Sequence, residues 1–362
     1  MSSKSHATIV GVRARPVLLP LPEPHQTASG TLSVSPLVLV DITGNDGVPG
    51  HAVVFTFSSA ALGPTASLIA NLEEALIKQP LDPATIGSML TQRFRLLGPE
   101  GIVAMALAGI DMALWDAVAR SHKTTVAEHC RAELKAQRAY AIIGFDGPTE
   151  SANAAEAWVA RGFTGVKARV GYPTVEDDRA VIQAIRSAVG ENVAIMVDYN
   201  QSLSVEEAMK RMAVLDSEGL AWVEEPTLAQ DFSGHAQIAA AAQTPIQSGE
   251  NWWGPLAMEQ AITASASDLM MPDAMKIGGV SGWLEAAMLA HNHDIRLSTH
   301  LWPELNAQLL CISPTADWLE YNEWWTALIA EPLQIVNGKT VVDGVSGSGI
   351  DWNEATISRY AA

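Results

Sequence analysis

The sequence predicts two units in series, an α+β domain at the N-terminus and then a closed parallel barrel of βα repeats. Three observations predict it. Residues 7 to 57 carry strand-like runs with a turn between two of them, and residues 58 to about 122 repeat apolar side chains at helical spacing. From about residue 138, short apolar strands alternate with helical stretches and start roughly 25 to 30 residues apart, the length of one βα unit.

In the first unit the strands are "ATIVGVRARPVLLPL", "SPLVLVDIT" and, after the turn "GNDG", "HAVVFTF". They suggest a small antiparallel sheet. The clearest helix is "GIVAMALAGIDMALWDAVARS". In the second unit the strands are "RAYAII", "FTGVKARV", "VAIMVDYN", "LAWVEE", "TPIQSG", "SDLMMPD", "IRLST" and "DWLEYN". Eight strands of this kind close into a barrel, and polar residues at their C-terminal ends line its catalytic mouth.

Composition narrows the function classes. A chain of 362 residues that is 48% hydrophobic buries a large core and exceeds the usual size of one domain. The formal charge of −18, from 40 acidic against 22 basic residues, argues against nucleic acid as a partner. Cys130 and Cys311 stand far apart with no CxxC, which gives neither a disulfide framework nor a zinc-finger pattern and fits a reducing compartment. A cytoplasmic location is expected. The stretch "MSSKSHATIVGVRARPVLLPLPEP" breaks its apolar runs with Arg13, Arg15 and prolines, so no signal or anchor is expected there, and no 18-residue apolar span or membrane partner elsewhere. "GVSGSG" neither closes a strand nor opens a helix as a dinucleotide loop must, and no GXSXG nucleophile spacing occurs.

Strand ends carry the chemistry. Asp198, Glu224 and Glu250 each close a strand and are spaced by 26 residues each time, so consecutive barrel strands bring three carboxylates to one side of the mouth. Like charges this close need a cation between them, and an all-oxygen set favours a hard metal, Mg²⁺ before Mn²⁺. Asp273 and His300 follow at successive strand ends, 27 residues apart. A carboxylate on one imidazole nitrogen fixes the tautomer and makes the other nitrogen a general base. His51, His122, His129, His291 and His293 read as structural. Lys167 and Arg169 lie two apart on one strand and therefore face the same space, which sets two cations where buried charge needs a partner or a purpose.

The segments "PLVLVDI", "AGIDMALWDA", "VGYP", "IMVDYNQSL", "EEPTL", "GENWWGP", "MPDAMKIGGVSGW" and "SPTADWLE" resemble the mandelate racemase subgroup of the enolase superfamily along nearly the whole chain. The resemblance implies an α+β capping domain over residues 1–130 with an active-site loop at 22–32, a (β/α)7β TIM-like barrel over 131–325, and a C-terminal segment, 326–362, that returns to the cap. It assigns Mg²⁺ to Asp198, Glu224 and Glu250. Asn200 falls to the substrate's α-hydroxyl, Lys167 to its carboxylate, a protonated Glu320 to the far carboxylate oxygen, and His300, oriented by Asp273, to the base on one face of the α-carbon. It further implies a small 2-hydroxy acid substrate and a homo-oligomer, an octamer, although the sequence supplies no interface.

The departures bear on the reaction. Arg169 stands where the family has a second lysine, the base for the opposite face. Neutralising a guanidinium near pH 7 from a pKa of roughly 12.5 costs on the order of 8 kcal/mol at about 1.36 kcal/mol per unit. Arg169 is therefore expected to be a fixed cation or substrate-oriented donor. In the loop, His25 and Ser29 replace valines, with Thr27 between them, and Ile142 stands at a serine position. Phe57 replaces a tyrosine. Phe55, Leu301 and Trp302 give the pocket an apolar side. Overall similarity implies a racemase or epimerase. The alternative is a hydro-lyase dehydrating a sugar acid with His300 as single acid and base, and a third reading is a metal-binding protein of the same fold without turnover.

Overall fold

The structure, a computed structural model, describes residues 7–27 and 30–362, and for Pro22, Glu23, Gln26 and Thr27 it describes the backbone alone. Strands β1 (Ile9–Thr27), β2 (Gly30–Gly44) and β3 (Pro49–Phe55) form one antiparallel sheet in chain order. β1 and β2 pair from Ile9↔Gly44 to Thr27↔Gly30, with a register shift between Pro20 and His25. The segment 22–32, expected as a loop, is thus largely a two-stranded ribbon that runs beyond β3. Pro20, Pro22 and Pro24 lack ladder donors and interrupt the pairing, while the φ of proline suits extended backbone.

Five helices complete the cap: α1 (Ser59–Asn71), α2 (Glu73–Leu76), α3 (Pro83–Arg93), α4 (Gly101–Ser121) and α5 (Val126–His129). Ser58 and Asp82 cap α1 and α3 by accepting from Ala60 N and Thr85 N. Helix α4 corrects one expectation. Its most apolar 18-residue window has a mean hydropathy of 1.7, so by length and composition it passes as a membrane span. It lies inside the protein, against β2, β3, α1 and α3, with 72% of that window buried. Its Asp111 accepts from Ser281 N at 3.0 Å and from Ser281 Oγ, which fastens the cap to the barrel.

The barrel alternates strands and helices: β4 (Arg138–Ile143), α6 (Gly147–Ala160), β5 (Gly165–Arg169), α7 (Val175–Val189), β6 (Ala194–Asp198), α8 (Val205–Leu215), β7 (Trp222–Glu224), α9 (Phe232–Ala241), β8 (Ile246–Ser248), α10 (Gly254–Thr263), β9 (Leu269–Met270), α11 (Gly279–Asn292), α12 (Pro303–Ile312) and β10 (Trp318–Tyr321). β4 to β9 pair in parallel in chain order, and β10 closes the circle by pairing with β4. The expected strand "IRLST" is reduced to bridges, Met270↔Leu297 and Leu297↔Ala316, which fill the gap between β9 and β10. The result is a (β/α)7β barrel under an α+β cap.

A hairpin, β11 (Gln334–Val336) and β12 (Lys339–Val341), joins β4 through Lys339↔Arg138, and α13 (Glu354–Tyr360) ends beside the cap. There Val17 bridges Ala361, Arg15 Nη1 lies 2.8 Å from Glu354, and Trp352 Nε1 donates to Asp41 at 2.7 Å.

Gly50 marks where β3 meets α4 most closely. A Cβ there would lie 2.2 Å from Ala113 O and 2.3 Å from Ala117 N, and neither backbone atom can move without shifting the helix. Gly50→Ala should therefore destabilise the protein by about 1–3 kcal/mol, read as a lower midpoint in urea unfolding. An unchanged midpoint would mean that the contact relaxes without cost.

Candidate active site at the barrel mouth

Parallel register decides which side chains meet. Arg169 pairs with Asp198, and Asp198 with Glu224, so three charged residues stand side by side at the ends of β5, β6 and β7. Glu250 follows β8 past Gly249, where φ is 142° and a Cβ would lie 2.9 Å from the Met271 carbonyl carbon, a path open to glycine alone. One carboxylate oxygen from each of Asp198, Glu224 and Glu250 then lies within 4.8 Å of the others, all three residues buried. Burial pushes the Glu224 carboxyl well up, and Asp198, Glu250 and Glu320 add to that against the opposing effect of Lys167. The cluster holds more negative charge than its cations balance, and this hard oxygen set fits a magnesium ion.

The two cations of β5 face this cluster. Lys167 Nζ lies 2.6 Å from Glu224 Oε1, 2.6 Å from Glu320 Oε2 and 3.6 Å from Asp198 Oδ2. Burial pulls its pKa down, but Glu224 and Glu320 outweigh burial and hold it well above the usual lysine value. Arg169 Nη1 lies 2.7 Å from Asp198 Oδ2. For Arg169 too, burial is outweighed by Asp198 and Glu250, and the guanidinium is raised further.

His300 Nδ1 sits 2.7 Å from Asp273 Oδ2, across the Asp273↔His300 bridge. Asp273 Oδ1 accepts from Met275 N at 2.9 Å and Lys276 N at 2.8 Å, so the carboxylate that orients the imidazole is itself held by a turn. His300 Nε2 lies 3.2 Å from Glu250 Oε2. Burial lowers the His300 pKa, yet Glu250, Glu320 and Asp273 together raise it. Glu320 differs from expectation. Burial raises its pKa, but Lys167 and His300 bring it below the usual carboxylate range, so the acid expected to be protonated is ionised here. Tyr140 OH donates to its Oε2 at 3.0 Å, and Leu301 N to its Oε1 at 3.2 Å.

Asn200 Nδ2 donates to Glu250 Oε1 at 3.3 Å, placing it beside the carboxylate cluster. Over the cluster stands the cap. The His25 ring is 5.2 Å from Trp324, and burial and Arg169 lower its pKa to about 3, so the imidazole is neutral. Its Nε2 is buried and has no hydrogen-bond partner among the described residues. Phe55 is buried under Phe57, Trp324 and Trp325, at 4.5, 5.6 and 6.3 Å between ring centres. Half-buried Ile142 pairs with Lys167 across β4 and β5. Leu301 and Trp302 are buried as well. Leu301 reaches the site through its backbone N–H, and Trp302 Nε1 donates to Val53 O at 2.8 Å, tying the His300 turn to the cap. The Thr27 side chain and Ser29 lie outside the described residues.

Sequence reasoning missed a chain of three. Lys276 Nζ donates to Asn251 Oδ1 at 2.6 Å, and Asn251 Nδ2 donates to Glu225 Oε2 at 2.7 Å and Glu250 Oε1 at 3.1 Å. Lys276 also lies 4.4 Å from the centre of the Phe57 ring. A lysine inside the apolar "MPDAMKIGG" and the doublet Glu224-Glu225 were the available signals.

Two family models match this chain: the mandelate racemase/muconate lactonizing enzyme N-terminal domain over residues 9–129 and the enolase C-terminal domain-like model over residues 150–356. The chain belongs to the mandelate racemase subgroup of the enolase superfamily. It is 30% identical to an L-talarate/galactarate dehydratase of Salmonella typhimurium over 88% of this chain and 81% of that protein. A D-galactarolactone cycloisomerase of Agrobacterium fabrum is 28% identical over 97% of this chain and 98% of its own. In structure it is similar to a Bradyrhizobium enolase complexed with magnesium and mandelic acid, with a TM-score of 0.95, 37% identity and 99% of each chain covered. It is also similar to an L-talarate/galactarate dehydratase mutant liganded with magnesium and L-glucarate, with a TM-score of 0.94, 27% identity, and 100% of this chain and 94% of that one covered. Like these members of the superfamily, the protein is a magnesium enzyme of racemase or dehydratase type.

Glu224→Gln keeps the shape of the buried cluster and removes one charged ligand. Magnesium affinity in titration calorimetry should fall at least about tenfold, with the far-ultraviolet circular dichroism unchanged. Equal affinity in the variant would remove Glu224 from the metal site.

Proposed function

We propose that this enzyme abstracts the α-proton of a 2-hydroxy carboxylate with His300 and then expels a β-hydroxyl, so that its principal reaction is dehydration of a polyhydroxy acid. The observation that carries this reading is the pairing of Arg169 with Asp198, which leaves one side of the site with a permanently charged group and the other with a base. Asp198, Glu224 and Glu250 would hold the magnesium, which would supply positive charge to stabilise an enediolate.

The chain's own groups do the rest. His300 Nε2 accepts the proton from Cα, and the C–H electron pair moves into the carboxylate as an enediolate. Lys167 lies next to the negative charge as it forms. A substrate carboxylate that draws Lys167 away from Glu320 removes the main influence holding that acid low, so Glu320 can then carry a proton toward the far carboxylate oxygen. Return of the electron pair breaks the Cβ–O bond. His300, now protonated, gives its proton to the departing hydroxyl, water leaves, and the enol product tautomerises to a 2-keto-3-deoxy acid. The unpartnered His25 Nε2 offers a polar contact to hydroxyls farther along the substrate. The 30% identity to a galactarate dehydratase supports this reading.

Racemisation or epimerisation is the second reading, favoured by the 37% identity to a protein bound to mandelic acid. It needs proton delivery to both faces. Proton NMR in heavy water, with each enantiomer of a 2-hydroxy acid separately, decides between the two. The wild type should exchange one enantiomer only, and His300→Asn should lower that exchange by about 10²-fold or more. Arg169→Lys should add exchange of the opposite enantiomer, because a lysine beside Lys167 and a metal reaches a depressed pKa that arginine does not. Comparable exchange of both enantiomers by the wild type would overturn the dehydratase reading.

The assembly is proposed to be a homo-octamer. Light scattering at micromolar concentration should give eight times the mass of the 362-residue chain, and a monomer would end the quaternary analogy.

A further inference from the structure

A second cavity shares no lining residue with the site above. It has a volume of about 510 Å³ and is formed between α12, residues 330–334 and residues 341–351. On one side Glu304 and Gln308 project from α12 at the i, i+4 spacing that sets them on one helix face. They are 6% and 1% exposed. Opposite them is Ser348, 2% exposed, beside Gly349, where a Cβ would come within 4.0 Å of Glu304 Cβ.

Each of these three residues lines the cavity, and each leaves one buried oxygen without a partner among the described residues: Glu304 Oε2, Gln308 Oε1 and Ser348 Oγ. Buried polar atoms are rarely left unpaired, so three around one cavity point to a ligand. All three accept hydrogen bonds. Glu331 and Asp343 add negative charge, and no lysine or arginine is among the lining residues. Asp351 is already engaged by Arg120 at 2.8 Å. Pro332, Leu333, Val342 and Val345 give the cavity an apolar side, while Gln334 and Ser346 add further polar groups to its wall.

We infer that this cavity binds a small aliphatic primary amine, its ammonium held by Glu304, Gln308 and Ser348 and its hydrocarbon stem lying against Leu333 and Val342. A primary ammonium has three N–H donors and no acceptor, which matches three unpaired acceptors in number and kind. A carboxylate as its partner makes the bond charge-assisted, and enclosure strengthens it. Burial raises the Glu304 pKa, and a cation at Oε2 would bring it back down.

The test uses the intact magnesium-loaded protein and thermal unfolding at constant ionic strength. Propylammonium should raise the midpoint in a saturable way, while tetramethylammonium, which has no N–H donor, should not. Potassium and ammonium chloride distinguish a site for a bare ion from one that also uses the stem. Gln308→Leu and Glu304→Gln should each weaken the propylammonium effect about tenfold or more in apparent affinity. Because Glu304→Gln also relieves a buried carboxylate, Gln308→Leu provides the independent reading if the first variant changes the midpoint by itself. A shift by potassium equal to that by propylammonium would overturn the amine in favour of a bare cation. No shift in the wild type, or a full shift in both variants, would overturn the site.

Discussion

The barrel mouth is organised by one electrostatic constraint. Parallel strands of matched register end in a single layer, and in this chain that layer and its immediate surroundings hold Asp198, Glu224, Glu225, Glu250, Asp273 and Glu320, all buried. Against them stand Lys167, Arg169, Lys276 and His300, also buried. Buried charge is tolerated only when paired and hydrogen-bonded, and here nearly every group answers to more than one partner. Lys167 touches two carboxylates at 2.6 Å, and His300 lies between Asp273 and Glu250. The protonation state of each group is therefore a property of the set. A cation joining Asp198, Glu224 and Glu250 would weaken the hold of Glu250 on His300 and so would couple metal binding to the basicity of the imidazole.

The cap follows from the same constraint. Charges at an open barrel mouth would be screened by water, and the site's chemistry depends on their being strong. The ribbon of β1 and β2 brings His25 over the cluster, and Phe55, Phe57 and Trp324 form an apolar roof. Specific polar contacts hold this roof in place rather than general packing alone: Asp111 with Ser281, Trp302 with Val53, and Arg15 with Glu354. Two of these three join the cap to the barrel, and the third joins it to the C-terminal helix, so the tail of the chain helps set the position of its head.

What the sequence revealed and what it hid divide along physical lines. The carboxylates were legible because barrel strands recur at a nearly fixed interval, and a residue type repeated at that interval ends in one layer. The order of β4 to β10 was legible for the same reason. The Lys276–Asn251–Glu225 chain was not, because it is assembled from turns after strand ends, where no periodicity marks which way a side chain points. The pairing of Glu320 with Lys167 was not legible, because Lys167 lies 153 residues earlier in the chain, on a strand separated from that of Glu320 by β4 alone, and no local pattern encodes such a contact. The loop at 22–32 was expected from the resemblance alone, and the segment instead pairs largely as a ribbon, whose extended backbone suits its prolines. The strand at "IRLST" is too short to form a full ladder, although its Leu297 still makes the bridges that close the barrel.

On the proposed dehydration reading, Arg169 redirects the chemistry of a shared scaffold from one position on one strand. Its side chain occupies the same face as Lys167 and contributes the same charge to the carboxylate cluster, so the fold and the metal site are preserved. A lysine there could give up its proton when a nearby metal and a second ammonium destabilise its charged form, whereas a guanidinium keeps its charge and is further locked by Asp198 at 2.7 Å. In the proposed dehydration the acid–base work falls to His300, which Asp273 orients and which would carry a single proton from Cα to a leaving group on the same face. A reaction that takes and returns a proton on one side needs no second base, and elimination is such a reaction. Fold alone would not have separated it from racemisation, because the two differ in one side chain's capacity to lose a proton.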